Sequence, residues 1–271
     1  MRIPKLRQPL EIYWLRLGDV FNGLRLGHFN FHRKMLKHLR DQKKSWSGAY
    51  VQGYFYQGLE ELGISGAKPS GFRFGQYEVD AILKDAEVLD IGSNTGFVAI
   101  YCAKMAKRVV GVELNPYLNR IAKDASEYLS INNTEFVQAD FKEFVSDQKF
   151  DVILSLSNHH TIDGNLNLGF ERHVERIAEL LQPDGYMLFE SHNVFGPGTG
   201  GLGDDGDMEN KIEIISKYFN IERYRMVHKF LKYGDIDKLF IVARRSEVEK
   251  PIEFNLGAAR KNFFWTKPNV G

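Results

Sequence analysis

A single cysteine, Cys102, in 271 residues excludes an internal disulfide and with it the small disulfide-stapled folds of the extracellular space. Its place in a helix expected to pack on a sheet reads as a buried thiol in a reducing cytosol, without a catalytic part. No apolar run approaches the ~20 residues needed to cross a bilayer, and Met1-Arg2-Ile3-Pro4-Lys5 lacks the apolar stretch of a secretory signal. Internal repeats and low-complexity segments are also missing. At 43% hydrophobic and 26% charged residues, the chain can bury one substantial core and carry an appended segment, which points to a cytoplasmic globular protein.

A strong net charge is absent too, but the formal +1 hides an asymmetry. Residues 1–50 hold eleven Lys/Arg against Glu11, Asp19 and Asp41, a balance of +8 that leaves −7 for the rest. Between Glu11 and Arg40, apolar residues from Tyr13 and Trp14 to Leu39 recur partly at helical spacing, interrupted by Gly18, Gly23 and Gly27, so short amphipathic helices are expected. Lys/Arg with aromatic neighbours could meet an anionic membrane surface, at the inner face of the membrane, or a nucleic acid or charged glycan. The preferred reading is plainer: a helical cap with a solvated basic face, because most basic blocks are only solvated. Gly48 to Phe74 reads as an ordered connector able to cross a ligand mouth.

What is present is a strand, turn and strand of unusual specificity. Val88-Leu89-Asp90-Ile91-Gly92-Ser93-Asn94-Thr95-Gly96-Phe97 is followed by Val109-Val110-Gly111-Val112-Glu113-Leu114-Asn115. This pattern is a buried strand, a Gly-bounded turn, a helix and a second buried strand ending in a carboxylate, the way an open parallel sheet holds an adenosine ribose. A dinucleotide turn needs Gly at its first, third and sixth places, whereas the third and sixth here are Asn94 and Phe97. Asp90, ending the first strand, would repel a pyrophosphate at the following helix N-terminus. It would suit a ligand with an ammonium and a sulfonium and no phosphate, namely S-adenosylmethionine.

These residues resemble the class I S-adenosylmethionine-dependent methyltransferases, and the likeness runs from about Tyr77 to Arg245. Asp90, Gly92 and Gly96 match the first motif, with Asn94 where many members have Gly, a residue that tolerates a left-handed backbone. Glu113 matches the ribose-binding acid, Ala139-Asp140-Phe141 the adenine-edge motif, Phe150 to Ser155 the fourth strand, and Leu180 to Tyr186 the turn into strand five. The resemblance implies S-adenosyl-L-methionine as cofactor, S-adenosyl-L-homocysteine as product, and Asp90, Gly92, Asn94, Gly96, Glu113, Leu114, Asp140, Phe141 and Ser155 around the cofactor. The fold class expected is α/β, a doubly wound Rossmann-like seven-stranded mostly parallel sheet with its last strand antiparallel and a helical N-terminal extension. Strands are placed near 87–91, 108–113, 134–138, 151–157, 185–190, 221–227 and 238–245, and helices near 96–106, 116–130, 169–181 and 209–219. The domain boundaries expected are a basic helical cap over 1–75, the cofactor-binding domain over 76–246, and a surface-wrapping tail over 247–271.

Chemistry is expected beyond the carboxyl ends of the strands, where strand order reverses. Glu113 can accept two hydrogen bonds from ribose hydroxyls, and Asp140 can sit beside the adenine amino group or N-cap a short helix at 141–145. Strand four exits into Ser155-Leu156-Ser157-Asn158-His159-His160-Thr161-Ile162-Asp163, and strand five ends at Glu190-Ser191-His192. His159 or His160 could take the proton of an acceptor hydroxyl near neutral pH, or line the pocket. With Glu190 and His192 they make a set of metal-binding residue types, but the spacing matches no metal motif, so an acceptor pocket without metal is expected. Gly196 to Asp207, with six Gly and three Asp, reads as a mobile substrate lid or a surface loop. The function expected is O-methylation of a small-molecule or glycan hydroxyl, because the strand-four exit lacks the Asn/Asp-Pro-Pro-Tyr/Phe signature of many amino-nitrogen methyltransferases. The alternatives are an RNA or RNA-cap methyltransferase using the basic N-terminus, and a non-catalytic binding module on the same fold.

Overall fold

A computed structural model describes residues 7–46, 54–160, 168–199, 201, 203–228, 237–248 and 250–270. Seven strands form one sheet: β1 Glu87–Ile91, β2 Arg108–Val112, β3 Thr134–Val137, β4 Phe150–Leu156, β5 Leu181–Glu190, β6 Phe219–Val227 and β7 Lys238–Arg245. Their spatial order is β3-β2-β1-β4-β5-β7-β6, with β7 antiparallel to both neighbours. Order reverses between β1 and β4, whose register sets Asp90 opposite Leu154, while Asp90 also pairs with Gly111 on β2. The expected architecture is the observed one.

Alternation along the strands explains why both faces are covered. Val88, Val109, Val152 and Leu188 enter one core, and their neighbours Leu89, Val110, Ile153 and Phe189 enter the other. Continuously apolar strands of this kind are stable only with helices on both sides. The first face carries α3 Ser70–Tyr77, α4 Phe97–Ala103 and α5 Pro116–Tyr128, and the second carries α6 Phe170–Leu180 and α7 Met208–Ser216. Between β3 and β4 the chain turns without a helix: Asp140 Oδ1 accepts the Lys142 N–H at 2.9 Å, so Asp140 closes a turn and the alternative of a capped helix at 141–145 is not realised.

The N-terminal segment forms a helical pair, α1 Arg7–Arg25 and α2 Phe29–Ser45. Only Gly27, with φ 76°, breaks the chain, while Gly18 and Gly23 lie inside α1, contrary to the expected interruptions. Gly23 is where the two helices approach: a Cβ there would lie 2.5 Å from the His32 ring. α2 packs on α5 through stacked Phe31 and Tyr128 and the His38–Asp124 contact at 2.9 Å. At the other end the tail closes the β6 edge, with Tyr224 and Thr266 exchanging backbone hydrogen bonds at 2.9 Å. Covering an edge removes a row of unpaired backbone groups.

Candidate active site

The turn after β1 is built on three left-handed residues, Gly92 (φ 63°), Asn94 (φ 55°) and Gly96 (φ 74°). A Cβ at Gly96 would stand 2.4 Å from that of Ala122, so the residue is required by close packing as well as by its backbone. Asn94 adopts the left-handed geometry its residue type tolerates, and its N–H donates to Glu113 Oε2 at 2.8 Å. Glu113 Oε1 accepts the Asn115 N–H at 2.8 Å, so the ends of β1 and β2 are tied through this one carboxylate, beside half-buried Leu114. Burial raises the Glu113 pKa, partly offset by the N–H groups of Asn115, Asn94 and Leu114.

Gln57, in the connector, fills the N-terminus of α4. Its Oε1 accepts the Phe97 N–H at 2.9 Å and the Thr95 hydroxyl at 3.2 Å. A neutral amide thus occupies the helix N-terminus that a dinucleotide fold leaves open for pyrophosphate. The sequence placed a connector across the ligand mouth without revealing which residue reaches in; residues 47–53 of it lie outside the described residues.

Asp90 is buried, and its Oδ2 has no hydrogen-bond partner among the described residues. Burial pushes its carboxyl up to about 7, against the opposing pull of the Arg73 guanidinium. Ser93 Oγ is likewise buried without a described partner. Orphaned polar atoms at a strand end, beside a left-handed turn, fit a polar nucleoside ligand. Two other residues assigned to the cofactor are engaged elsewhere. Ser155 Oγ is buried and bonds Asn158 Oδ1 at 2.8 Å and His173 Nε2 at 3.1 Å. The Phe141 ring is buried in the second core, with His173 at its edge and Arg176 over its face. Asp140 pairs with Lys142 at 3.1 Å and remains half-buried.

The four residues expected to share one rim divide into two clusters, and the division corrects the grouping of Glu190 with the histidines. Glu190 Oε1 accepts from Lys68 at 3.2 Å, Arg73 at 3.1 Å and Ser157, with Lys238 at 3.3 Å, and Oε2 accepts from Tyr77. Burial alone would raise this carboxyl, but the three cations outweigh it and hold it well below the ordinary range. Lys238 is lowered to about 8 by burial and by the Lys68 charge.

The histidines gather instead around Asp205, from the glycine-rich loop. Its Oδ1 lies 3.1 Å from His159 Nε2 and 2.8 Å from His160 Nε2 and accepts from Lys211, while Oδ2 accepts the His192 N–H. Burial opposes ionisation of Asp205, yet the hydrogen bonds from His159 and His160 and the Lys211 charge hold it far below the usual range. Burial lowers His159 to about 4, so the ring is neutral at pH 7. With Nε2 facing a carboxylate, its proton is assigned there, leaving the Nδ1 lone pair without a described partner. The donor atoms of His159, His160, His192 and Asp205 lie within 4.8 Å of one another, a spacing that suits a divalent cation, but the Lys211 ammonium already brings a positive charge to Asp205 and stands 3.4 Å from His160 Nε2. The loop is less free than a lid: Asp204 accepts N–H groups from Gly198, Thr199 and Gly206 at 2.8–3.1 Å. Thr161 to Asp163 lie outside the described residues.

Comparison with known proteins agrees with this geometry. Residues 88–185 match the model of a methyltransferase domain family. A Methanocaldococcus jannaschii protein that carries the provisional name protein N5-glutamine methyltransferase is 40% identical over 96 residues, 33% of this chain and 48% of that one. A release factor glutamine methyltransferase of Aliivibrio fischeri is 30% identical over 149 residues, 51% of this chain and 52% of that one. The chain therefore covers about half the length of these relatives. Among solved structures, the N-methyltransferase NodS from Bradyrhizobium japonicum WM9, in complex with S-adenosyl-l-homocysteine, superposes with a TM-score of 0.51 at 15% identity, over 79% of this chain and 99% of that one. That likeness is one of fold. With a seven-stranded sheet in this order and the Asp90 to Gly96 turn tied to Glu113, the chain has the fold of the class I S-adenosylmethionine-dependent methyltransferases, and residues 88–185 match a methyltransferase domain.

Proposed function

We propose that the protein is an S-adenosylmethionine-dependent methyltransferase acting on a hydroxyl of a small molecule or glycan. The observation that carries the cofactor reading is the orphaned, buried Asp90 carboxyl beside a turn whose helix N-terminus is already filled by Gln57. Asp90 would face the ligand's cationic end, Glu113 would accept from the ribose hydroxyls with its remaining lone pairs, and Gly92 and Gly96 would let the backbone approach. When bound, the cofactor supplies a methyl group on a sulfonium. The chain's part is to hold the acceptor oxygen in line and take its proton as the carbon–oxygen bond forms and the carbon–sulfur bond breaks. His159 Nδ1 would take the proton, with Asp205 fixing the tautomer and His160 and His192 beside it. Glu190 acts as a positioning residue, joining Lys68 and α3 to the end of β5.

Hydroxyl rather than amide nitrogen is favoured by Asn158. Its Nδ2 donates to the Ile91 carbonyl and its Oδ1 accepts from Ser155, so both ends of the amide are spent within the fold and are not offered to an acceptor nitrogen. Protein glutamine methylation, named for the relatives, is the second reading, supported by their identity to this chain. Two measurements separate the readings. Calorimetric titration with S-adenosylmethionine and S-adenosylhomocysteine tests the cofactor, and no heat from either would end the reading. Transfer of a labelled methyl group into hydroxyl-bearing metabolites and glycans tests the acceptor, and label found only in protein glutamine would replace this assignment with the second.

A further inference from the structure

Amphipathic helices of soluble proteins turn their apolar stripe to the core; α1 does the reverse. Asp19 and Gly23 face the body of the protein, Asp19 accepting the Ser65 N–H at 2.7 Å and Gly23 meeting the His32 ring. On the opposite side, Tyr13, Trp14, Leu17, Phe21 and Leu24 fall within an arc of about 100° at helical spacing, and all are exposed, Trp14 at 67%, Phe21 at 66% and Leu24 at 56%. Phe29, at the start of α2, is exposed as well. Monomeric proteins rarely leave so many contiguous large apolar side chains in water.

The charge of the helical pair indicates what covers this face. Arg16 and Arg25 on α1, and Arg33, Lys37, Arg40, Lys43 and Lys44 on α2, are exposed, and no acidic side chain of the pair is fully exposed among the described residues. We propose that the α1 face docks on an anionic lipid bilayer, with the aromatic and leucine side chains entering the headgroup boundary and the basic residues meeting lipid phosphates. Two weak signals are then combined, apolar insertion and basic attraction, which is the minimum for stable interfacial binding. A nucleic acid would use the charge but leave Leu17 and Leu24 without a role, and a second copy of this chain would bring like basic charges together. Docking would also orient the cofactor mouth, because α1 rests on the Gly63–Ser65 segment of the connector that sends Gln57 to the α4 turn.

Partition of the full chain into phosphatidylcholine vesicles with and without about one-third phosphatidylglycerol tests the proposal, read by co-sedimentation and by tryptophan emission. Binding only to the anionic vesicles, weakened by salt, with a blue shift that disappears in Trp14→Phe, is the expected result. Phe21→Ser with Leu24→Ser should reduce partition at least ~10-fold while S-adenosylhomocysteine affinity, measured separately, stays unchanged. The proposal is overturned if anionic vesicles leave the protein in solution, if the serine variant binds them equally well, or if ultracentrifugation shows a dimer that buries Trp14. None of these outcomes depends on the methyl acceptor, so failure here and failure of the cofactor reading are distinct.

Discussion

The carboxyl of Asp90 titrates near neutrality, and this makes cofactor affinity depend on pH in a calculable way. Burial raises its pKa from 3.8 to about 7 in the ligand-free protein. A ligand bearing an ammonium and a sulfonium requires the ionised form, so the bound pKa is lower than the free one and affinity rises with pH. With a free value of about 7, the ionised fraction is roughly three-quarters at pH 7.5 and ~3% at pH 5.5, so affinity should fall about 25-fold, or ~1.9 kcal/mol, over that interval. Titration calorimetry in buffers of different ionisation enthalpy reads both the affinity and the proton, and close to one proton should be released per ligand near pH 5.5. Asp90→Asn should bind more weakly at pH 7.5 and lose the dependence. The sign for stability is opposite: the unfolded carboxyl ionises first, so Asp90 makes the ligand-free protein less stable as pH rises from about 4 through 7. Affinity that is flat, or that increases on acidification, would refute the electrostatic pairing of Asp90 with a cationic ligand.

Other residues give independent expectations. Glu113→Ala should weaken cofactor binding by about 1–3 kcal/mol, since it removes the ribose acceptors and the Asn94 and Asn115 anchors; unchanged calorimetric affinity would take Glu113 out of the site. Glu190→Gln leaves Lys68, Arg73 and Lys238 facing one another and should cost about 3–5 kcal/mol in denaturant unfolding, a loss below ~1 kcal/mol showing that the cluster is better hydrated than its burial implies. Gly96→Ala should lower stability by roughly 1–3 kcal/mol through φ 74° and the Ala122 contact, visible as a depressed melting temperature. His159→Gln should cut turnover by ~10²–10⁴-fold with cofactor affinity preserved, and a turnover within twofold of the wild type would reassign the proton.

Much of this was legible in one dimension because the signals were local. Strands buried on both faces announce themselves as continuous apolar runs, and each of the seven lies within a few residues of its expected place. Asp90, the Gly92 to Gly96 turn and Glu113 were readable because chain geometry alone carries a strand end into a left-handed turn. The misjudged features depend on approach between distant segments. Gly23 looked like a helix breaker and is instead a helix-crossing residue, and the Gly196 to Asp207 stretch, read as a substrate lid or a surface loop, gave no sign that Asp205 meets three histidines.

The sequence by itself determined the sheet, the nucleoside turn and the cofactor's charge, because periodicity, glycine placement and a strand-end carboxylate act over a few residues. Only the tertiary structure decided the partners of the rim: Glu190 went to Lys68, Arg73 and Lys238, and His159 and His160 went to Asp205. A buried charge settles with whichever opposite charge the packing brings within hydrogen-bonding reach, and separation along the chain carries no information about that. The outward turn of Trp14 and Phe21 was likewise hidden in a helical period that reads the same from either side.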